Sequence, residues 1–225
     1  MNAWHTAFVQ LPLLLHGLLR TIEFSLVAAV VSVILGLIAA LCKLSRFGVL
    51  RGISTVYVEI FRGTPLLVQI FYMVFALPSI MPLNAWFGQD LYPIIGVSAA
   101  LALNEGAYVT EIVRAGILGV DRGQREAAES LGMTGYQTMR HIILPQAFKR
   151  MIPPLVNQFA QTIKDTSLVA PVGVVDLMYQ GQITVAQTYA AFSIYTVVAA
   201  LYFIVIFAVS RLANYLERRL QIDQR

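Results

Sequence analysis

Three acidic side chains interrupt runs that are otherwise apolar: Glu105 and Glu111 within residues 91–118, and Asp165 within 151–175. A charged side chain at the centre of a membrane helix costs about 2.5–3.5 kcal/mol on insertion scales, so each needs a partner or a task. On a helix, Asn104, Tyr108 and Glu111 fall at i, i+4 and i+7 with Glu105 beside them, while Gln158, Gln161 and Asp165 fall at i, i+3 and i+7. These are two polar stripes, and their amides, carboxylates and phenol can give and accept the hydrogen bonds a small polar solute needs. The competing use is internal: Glu111 would pair with Arg114 one turn away, and Glu105 or Asp165 with Lys164, as buried ion pairs that only hold helices together. Catalysis finds little support. His5, His16 and His141 are scattered, so no metal-ligand spacing exists, and Cys42 is the only cysteine.

A second candidate lies at 125–147, REAAESLGMTGYQTMRHIILPQA. Asp121 with Gln124 and Thr134 with Gln137 are capping-box patterns, and Gly132 stands where a left-handed residue would stop the first helix. Met139, Ile142 and Ile143 continue at helical spacing until Pro145, so the segment reads as two short helices about a glycine turn, the outline of a DNA-reading helix-turn-helix. Context decides against that use. The same capped helix pair suits docking into a groove of a soluble partner, with Ala127, Ala128 and Gly132 allowing close approach and Glu126 and Arg125 at the rim. A merely structural loop is the alternative.

The elements that must position these residues are membrane spans. The 225 residues are 58% hydrophobic and 12% charged, against roughly 25% charged in an ordinary globular domain. Five spans are expected, at 24–42 (beginning a turn or two earlier), 63–89 with Tyr57 and Val58 before it, 91–118, 151–175 and 190–210. Lys43 and Arg46 follow the first apolar run where a cleaved leader would carry small residues, so that span is expected to be retained. Lys43, Arg46, Arg51 and Arg62 lie between or at the edges of spans 1 and 2. Arg114, Arg122, Arg125, Arg140, Lys149 and Arg150 lie at or between spans 3 and 4, and Arg211, Arg218, Arg219 and Arg225 follow span 5. The positive-inside rule then places the N-terminus outside and the C-terminus in the cytoplasm. Residues 119–150 become a cytoplasmic loop, too close to the bilayer to wrap DNA, and the pI of about 9.3 reflects orientation, with no nucleic acid partner. Pro153, Pro154 and Pro171 predict an irregular, cavity-lining fourth span. RGTP at 62–65, with Glu59 one turn before Arg62, reads as a helix-end anchor. Trp4, Trp86, Tyr92 and Tyr215 read as interfacial belts, and Gly48 and Gly52 as loop residues.

EAA at 126–128, Gly132 three residues after Glu129, and ILP at 143–145 resemble the EAA loop of membrane subunits in binding-protein-dependent ABC importers. RGTPLLVQ (62–69), NEGAYVTEIVRAGI (104–117), GQREAAESLGM (123–133), RMIPPLVNQ (150–158) and IKDTSL (163–168) are together similar to polar amino-acid uptake permeases of the glutamine, histidine and arginine type. The resemblance implies an all-α integral membrane protein of the type I ABC importer permease fold. One domain, 1–225, would hold about five transmembrane helices and a cytoplasmic coupling helix within 119–150. Glu126, Ala127, Ala128 and Gly132 would dock in a cleft of an ATPase subunit. GxxxxGK[ST] is absent, so ATP and Mg would belong to that partner and the chain itself would be neither enzyme nor cofactor carrier. The other implied partners are a periplasmic or surface solute-binding protein, a second permease copy (homodimer or heterodimer), membrane lipid and a polar amino acid, in a bacterial cytoplasmic (inner) membrane. Glutamine-type members read NSGAY where this chain reads NEGAY. A surplus acid favours a cationic substrate, arginine, lysine or histidine, over glutamine. The reading from another class is a proton-coupled secondary transporter acting through Glu105 or Asp165, for which no internal symmetry is visible.

Overall fold

The computed structural model describes residues 3–220, and among them every regular element is helical. A short helix α1 (Ala3–Val9) leads into α2 (Leu11–Lys43), with Pro12 in its first turn, where a missing N–H costs nothing. Helix α3 (Gly48–Gly63) follows, so Gly48 and Gly52 stand on a helix and not in a loop, although neither approaches another part of the chain. At Thr64–Pro65 the path turns by 106° into α4 (Leu66–Phe71), a π-helical turn (Tyr72–Ala76) and α5 (Leu77–Ile80). The expected straight second span is therefore two arms joined at a sharp bend. After α6 (Leu83–Phe87) comes α7 (Leu91–Leu118), and then the loop helices α8 (Arg122–Ser130) and α9 (Gly135–Thr138). A second π-helical turn (Met139–Ile143) continues into α10 (Leu144–Asp165), a 3-10 segment (Thr166–Val172), α11 (Leu177–Thr188) and α12 (Ala191–Leu220).

Helices α2 and α12 are each long and apolar enough to cross a membrane, and two bent pairs meet the same measure jointly: Gly48–Gly63 with Leu66–Ile80, and Gly135–Val172 with Leu177–Thr188. Helix α7, at 28 residues about 42 Å long, is long enough but too polar by composition. Its polarity is tolerable because it is the hub. Asn104, Glu105, Gly106 and Ala107 are consecutive and all buried, so every face of that turn is covered by protein.

Helix α2 makes the most extensive contact with α7. Its buried residues are Leu14, Gly17, Thr21, Ser25, Ala28, Ser32, Gly36 and Ala40, a stripe at three- and four-residue spacing that is small almost throughout. Apolar burial gives little drive between helices in lipid, so close backbone approach through small side chains supplies the attraction. The fit is tight enough that a Cβ on Gly36 would collide with Val109, and one on Gly106 would stand 2.7 Å from the Tyr57 hydroxyl. At the opposite end of α2, Gly17 lies under Leu177, and the Thr21 hydroxyl accepts a hydrogen bond from the Leu177 amide at 3.1 Å. Buried Asp176 caps α11 through the Tyr179 amide and accepts from the Tyr202 hydroxyl at 3.0 Å, tying α11 to α12.

Prolines explain the irregular turns. Each π-helical turn ends two residues before a proline, Pro78 or Pro145, where the ring and missing N–H disfavour ordinary α-helical bonding. In π-type bonding Pro78 would owe a donor to the Met73 carbonyl, and the Tyr92 hydroxyl supplies it at 2.6 Å. Tyr92 is thus a buried structural tyrosine and no belt residue, unlike exposed Trp86 and Tyr215. The fourth span departs from expectation in the other direction. Helix α10 runs unbroken through Pro153 and Pro154, and the irregularity falls in the 3-10 segment, which ends at Gly173 with φ +80°.

Gly36→Ala should destabilise the protein by about 1–3 kcal/mol, as expected of overpacking in a tight contact. The check is thermal unfolding in detergent: the midpoint should fall, and Val109→Ala added to Gly36→Ala should recover part of the loss. An unchanged midpoint would refute the close-packing account.

Candidate functional site

The bend at Thr64–Pro65 is built from unmet hydrogen bonds. Pro65 has no N–H to offer the Phe61 carbonyl, and Thr64 before it is extended, at φ −120° and ψ 146°, as a residue preceding proline must be. Two buried amides replace the missing donor. Gln69 Nε2 donates to the Phe61 carbonyl at 2.9 Å and to Thr64 Oγ1 at 2.8 Å, while Asn104 Nδ2 donates to the same Phe61 carbonyl at 2.8 Å and to Gln69 Oε1 at 3.0 Å. Helix α7 thereby clasps the bend, and RGTP is brought to the level of the polar stripes.

A cavity of about 560 Å³ results, lined by Arg62, Thr64, Asn104, Tyr108, Gln158, Gln161 and Asp165 among others. Five of the seven proposed substrate residues meet there. Asp165 Oδ1 accepts from Gln161 Nε2 at 3.0 Å, and its carboxyl also lies against that of Glu105. Asn104 spends both amide N–H groups on the bend, so it offers the cavity only its oxygen. Glu105 does not line the cavity: it is fully buried behind it, with Oε2 accepting from Gln158 Nε2 and Oε1 without a hydrogen-bond partner. Glu111 sits in a second cavity of about 500 Å³ on the side of Arg150 and Pro154, and Arg62, Tyr108 and Gln158 line both spaces.

The internal-pairing alternative holds for Glu111 alone. Its Oε1 takes Lys43 at 2.6 Å, 68 residues away, and its Oε2 takes Arg114 at 2.7 Å. Lys164 joins none of the three ion pairs found among the described residues; its charge acts on Asp165 without a contact pair, and Glu105 has no cation partner. RGTP does end α3, as the anchor reading expects. Arg62, however, makes no ion pair with Glu59; its guanidinium lies 5.0 Å from the Tyr108 ring centroid, and it lines both cavities. A signal for the bend was in the sequence, a proline one residue past a threonine inside a proposed span, but only the structure shows that Arg62 lines the cavities beside it.

At the loop, Asp121 caps α8 through the Gly123 amide at 2.7 Å, but Gln124 does not close the box; it accepts from Gln146 at 3.2 Å and ties α8 to α10. Thr134 and Gln137 do form the reciprocal box. Gly132 takes φ +79°, a left-handed conformation that an L side chain would strain. No second short helix forms: from Gly135 the chain stays helical through Pro145 into α10, so a helix-turn-helix is not present. Glu126, Ala127 and Gly132 are exposed, whereas Ala128 is packed inward at 3% exposure and supports α8 instead of presenting a surface. Sequence reasoning missed Leu131 and Tyr136, which flank Gly132 and are 83% and 70% exposed.

A helical membrane domain that clasps a polar cavity at a broken helix, and carries a capped, exposed helix on the loop between two long helices, has the build of a transport permease. The chain belongs to the family of binding-protein-dependent transport system inner membrane components, whose model matches residues 32–222. It is 35% identical to the glutamine transport system permease protein GlnP of Escherichia coli K12 over 219 residues, covering 97% of this chain and 98% of that one. The crystal structure of an amino acid ABC transporter with histidines is 38% identical with a TM-score of 0.88, over 96% of this chain and 98% of its own. The inward-facing MetNI methionine ABC transporter, at 19% identity and TM-score 0.72 over 94% and 97% of the two chains, shares the fold. The protein is therefore an ABC importer permease of the polar amino-acid kind, in the inner membrane, and its family is a transport component, not a catalytic subunit.

Gln69→Leu should remove the amide that donates to the Phe61 and Thr64 carbonyls and to Thr64 Oγ1 and accepts from Asn104, and cost about 1–3 kcal/mol, the usual cost of unsatisfied buried polar groups. Detergent unfolding should show a clearly lowered midpoint; a midpoint equal to wild type would mean that the bend does not depend on the amide clasp.

Proposed function

We propose that the cavity is the translocation site for an α-amino acid with a cationic side chain. The observation that carries the reading is Glu105, a carboxyl with no cation beside it and one oxygen unsatisfied, standing behind Gln158 at the wall of a cavity that already holds Asp165. Asp165 Oδ2 serves the substrate ammonium, Gln161 holds Asp165 in place, and Tyr108 and Asn104 complete the polar wall. Gln158 relays the second negative charge to the side chain. Glu111 is spent on Lys43 and Arg114 and contributes structure to the exit side. A second reading, glutamine, is favoured by the names of the curated relatives. It differs in one respect: Glu105 would be protonated and donate to a neutral amide.

The same proposal gives the chain its partners. Two permease copies, ATPase subunits carrying ATP and Mg, and an external solute-binding protein complete the importer. Helix α8 is the coupling element, presenting Glu126, Ala127, Leu131 and Gly132 to the ATPase from the cytoplasmic side. The N-terminus is outside and the C-terminus inside; Arg225, the last cation of that argument, lies outside the described residues.

Three experiments check this. With the reconstituted transporter, Glu105→Gln should lower uptake and transport-coupled ATPase activity for lysine at least about tenfold, a difference of 1.4 kcal/mol, while sparing glutamine. Equal effects on both solutes, or none, would reject the cationic reading. Leu131→Asp alters a side chain that touches little of its own chain, so insertion should be normal and co-purification of the ATPase lost. Retained co-purification would place docking elsewhere. In a Cys42→Ser background, Leu131→Cys should react with an impermeant maleimide only in inverted vesicles; reaction in intact cells would reverse the topology.

A further inference from the structure

Arg62 stands at the seam of the two cavities. It lines both, as do Tyr108 and Gln158, and no ion pair among the described residues includes it. Its one recorded partner is the face of Tyr108, 5.0 Å from the guanidinium carbon to the ring centroid. The position is not incidental. The Phe61 carbonyl next to it is held by two buried amides, Gln69 and Asn104, so the end of α3 is fixed where it delivers a cation to the polar wall. Lys43 and Arg114, by contrast, are used up on Glu111. Arg62 is exposed to these spaces and not buried in packing, so a guanidinium without a carboxylate of its own is open to an anion that enters them.

We infer that Arg62 binds the α-carboxylate of the transported amino acid, and that it does so by exchanging the Tyr108 ring for the substrate. This rests on the importer reading above and adds the missing half of zwitterion recognition, since none of the other groups considered there carries positive charge. Arg62 and Asp165 line one cavity, which matches the opposite charges of an α-amino acid. A guanidinium and a carboxylate form two parallel charge-assisted hydrogen bonds, a stronger contact than a guanidinium over a phenol, so the exchange runs toward the substrate when it arrives. On the far side of the seam, Ala115, Gly116 and Gly119 keep the second cavity open, and Arg150 is the next cation along its wall. The ring of Tyr108 thus holds Arg62 at the seam between substrates, and the specificity set there is for the carboxylate, whatever the side chain.

The test uses the detergent-solubilised permease with its co-purifying ATPase and no binding protein, so that the permease alone selects. Equilibrium binding is measured for lysine and glutamine and for their decarboxylated counterparts, 1,5-diaminopentane and 4-aminobutanamide. Wild type should prefer the amino acid of at least one pair by tenfold or more. Arg62→Gln should abolish that preference by weakening only the carboxylate-bearing ligand, and Arg62→Lys, which keeps the charge but not the fork, should retain a preference reduced at least threefold. If Arg62→Gln fails to assemble, the Arg62→Lys result decides. A preference that persists in Arg62→Gln, is unchanged in Arg62→Lys, or falls because both members of a pair bind less well, overturns the assignment while leaving the importer reading standing. A wild-type complex that binds none of the four and, once reconstituted in liposomes with a solute-binding protein, transports neither lysine nor glutamine overturns the substrate reading above, and the assignment with it.

Discussion

The contact between α2 and α7 is the constraint on which the remaining geometry depends. A helix carrying Asn104, Glu105 and Glu111 cannot face lipid, because each polar group would lose water without gaining a partner. It must be sheathed, and the sheath must come close. Serines, alanines and glycines along one face of α2 permit that approach, with Gly36 seated against Val109 and Gly106 admitting Tyr57. The Tyr57 hydroxyl then reaches the Leu103 carbonyl at 2.7 Å, fixing α3 on the same hub. Larger residues on either face would separate the helices by the width of a side chain and leave the buried carboxyl of α7 exposed to hydrocarbon.

Once α7 is fixed, its amides organise the break in the neighbouring arm. Pro65 removes one donor, and Asn104 and Gln69 converge on the carbonyl that loses it. Interrupted helices are tolerated in membranes where protein or cavity water satisfies the freed groups, and here protein does so on the inner side while the outer side opens on the cavity. The result is a division of labour within a single stripe. Asn104 serves mainly the backbone, Tyr108 serves Arg62, and Glu111 serves Lys43 and Arg114. Glu105 alone retains an unsatisfied oxygen, and it meets the cavity wall through Gln158 and the neighbouring Asp165.

The loop shows the same separation between what is held and what is presented. Inward packing of Ala128, the Gln124–Gln146 bond and the Thr134–Gln137 box stiffen the segment, while Leu131, Gly132 and Tyr136 stand outward. From Gly135 this segment continues into α10, the helix that also carries Gln158 and Asp165, so the exposed tip and the cavity wall are parts of one continuous helical run.

The sequence by itself determined the helical membrane class, the family, both polar stripes and the capped loop, since these are written in local periodicity, in charge interruptions and in short motifs whose spacing survives without coordinates. It also contained the small-residue face of α2, which periodicity would have exposed had that span been read for small side chains as well as apolar ones. Tertiary structure alone decided which polar groups share a space. Lys43 and Glu111 meet across 68 residues, and no local rule pairs them. Nor could spacing tell that Glu105, one residue from Asn104, points away from the cavity, because adjacent helical positions differ by about 100° and the choice between them belongs to the neighbouring helices. Arg62 is the sharpest case: on a straight span it lies at the membrane edge, as the charge count assumed, and on a helix turned through 106° at the next two residues it lies within the polar wall. The bend angle is set by which amides can reach the Phe61 carbonyl, and those amides arrive from 8 and 43 residues away.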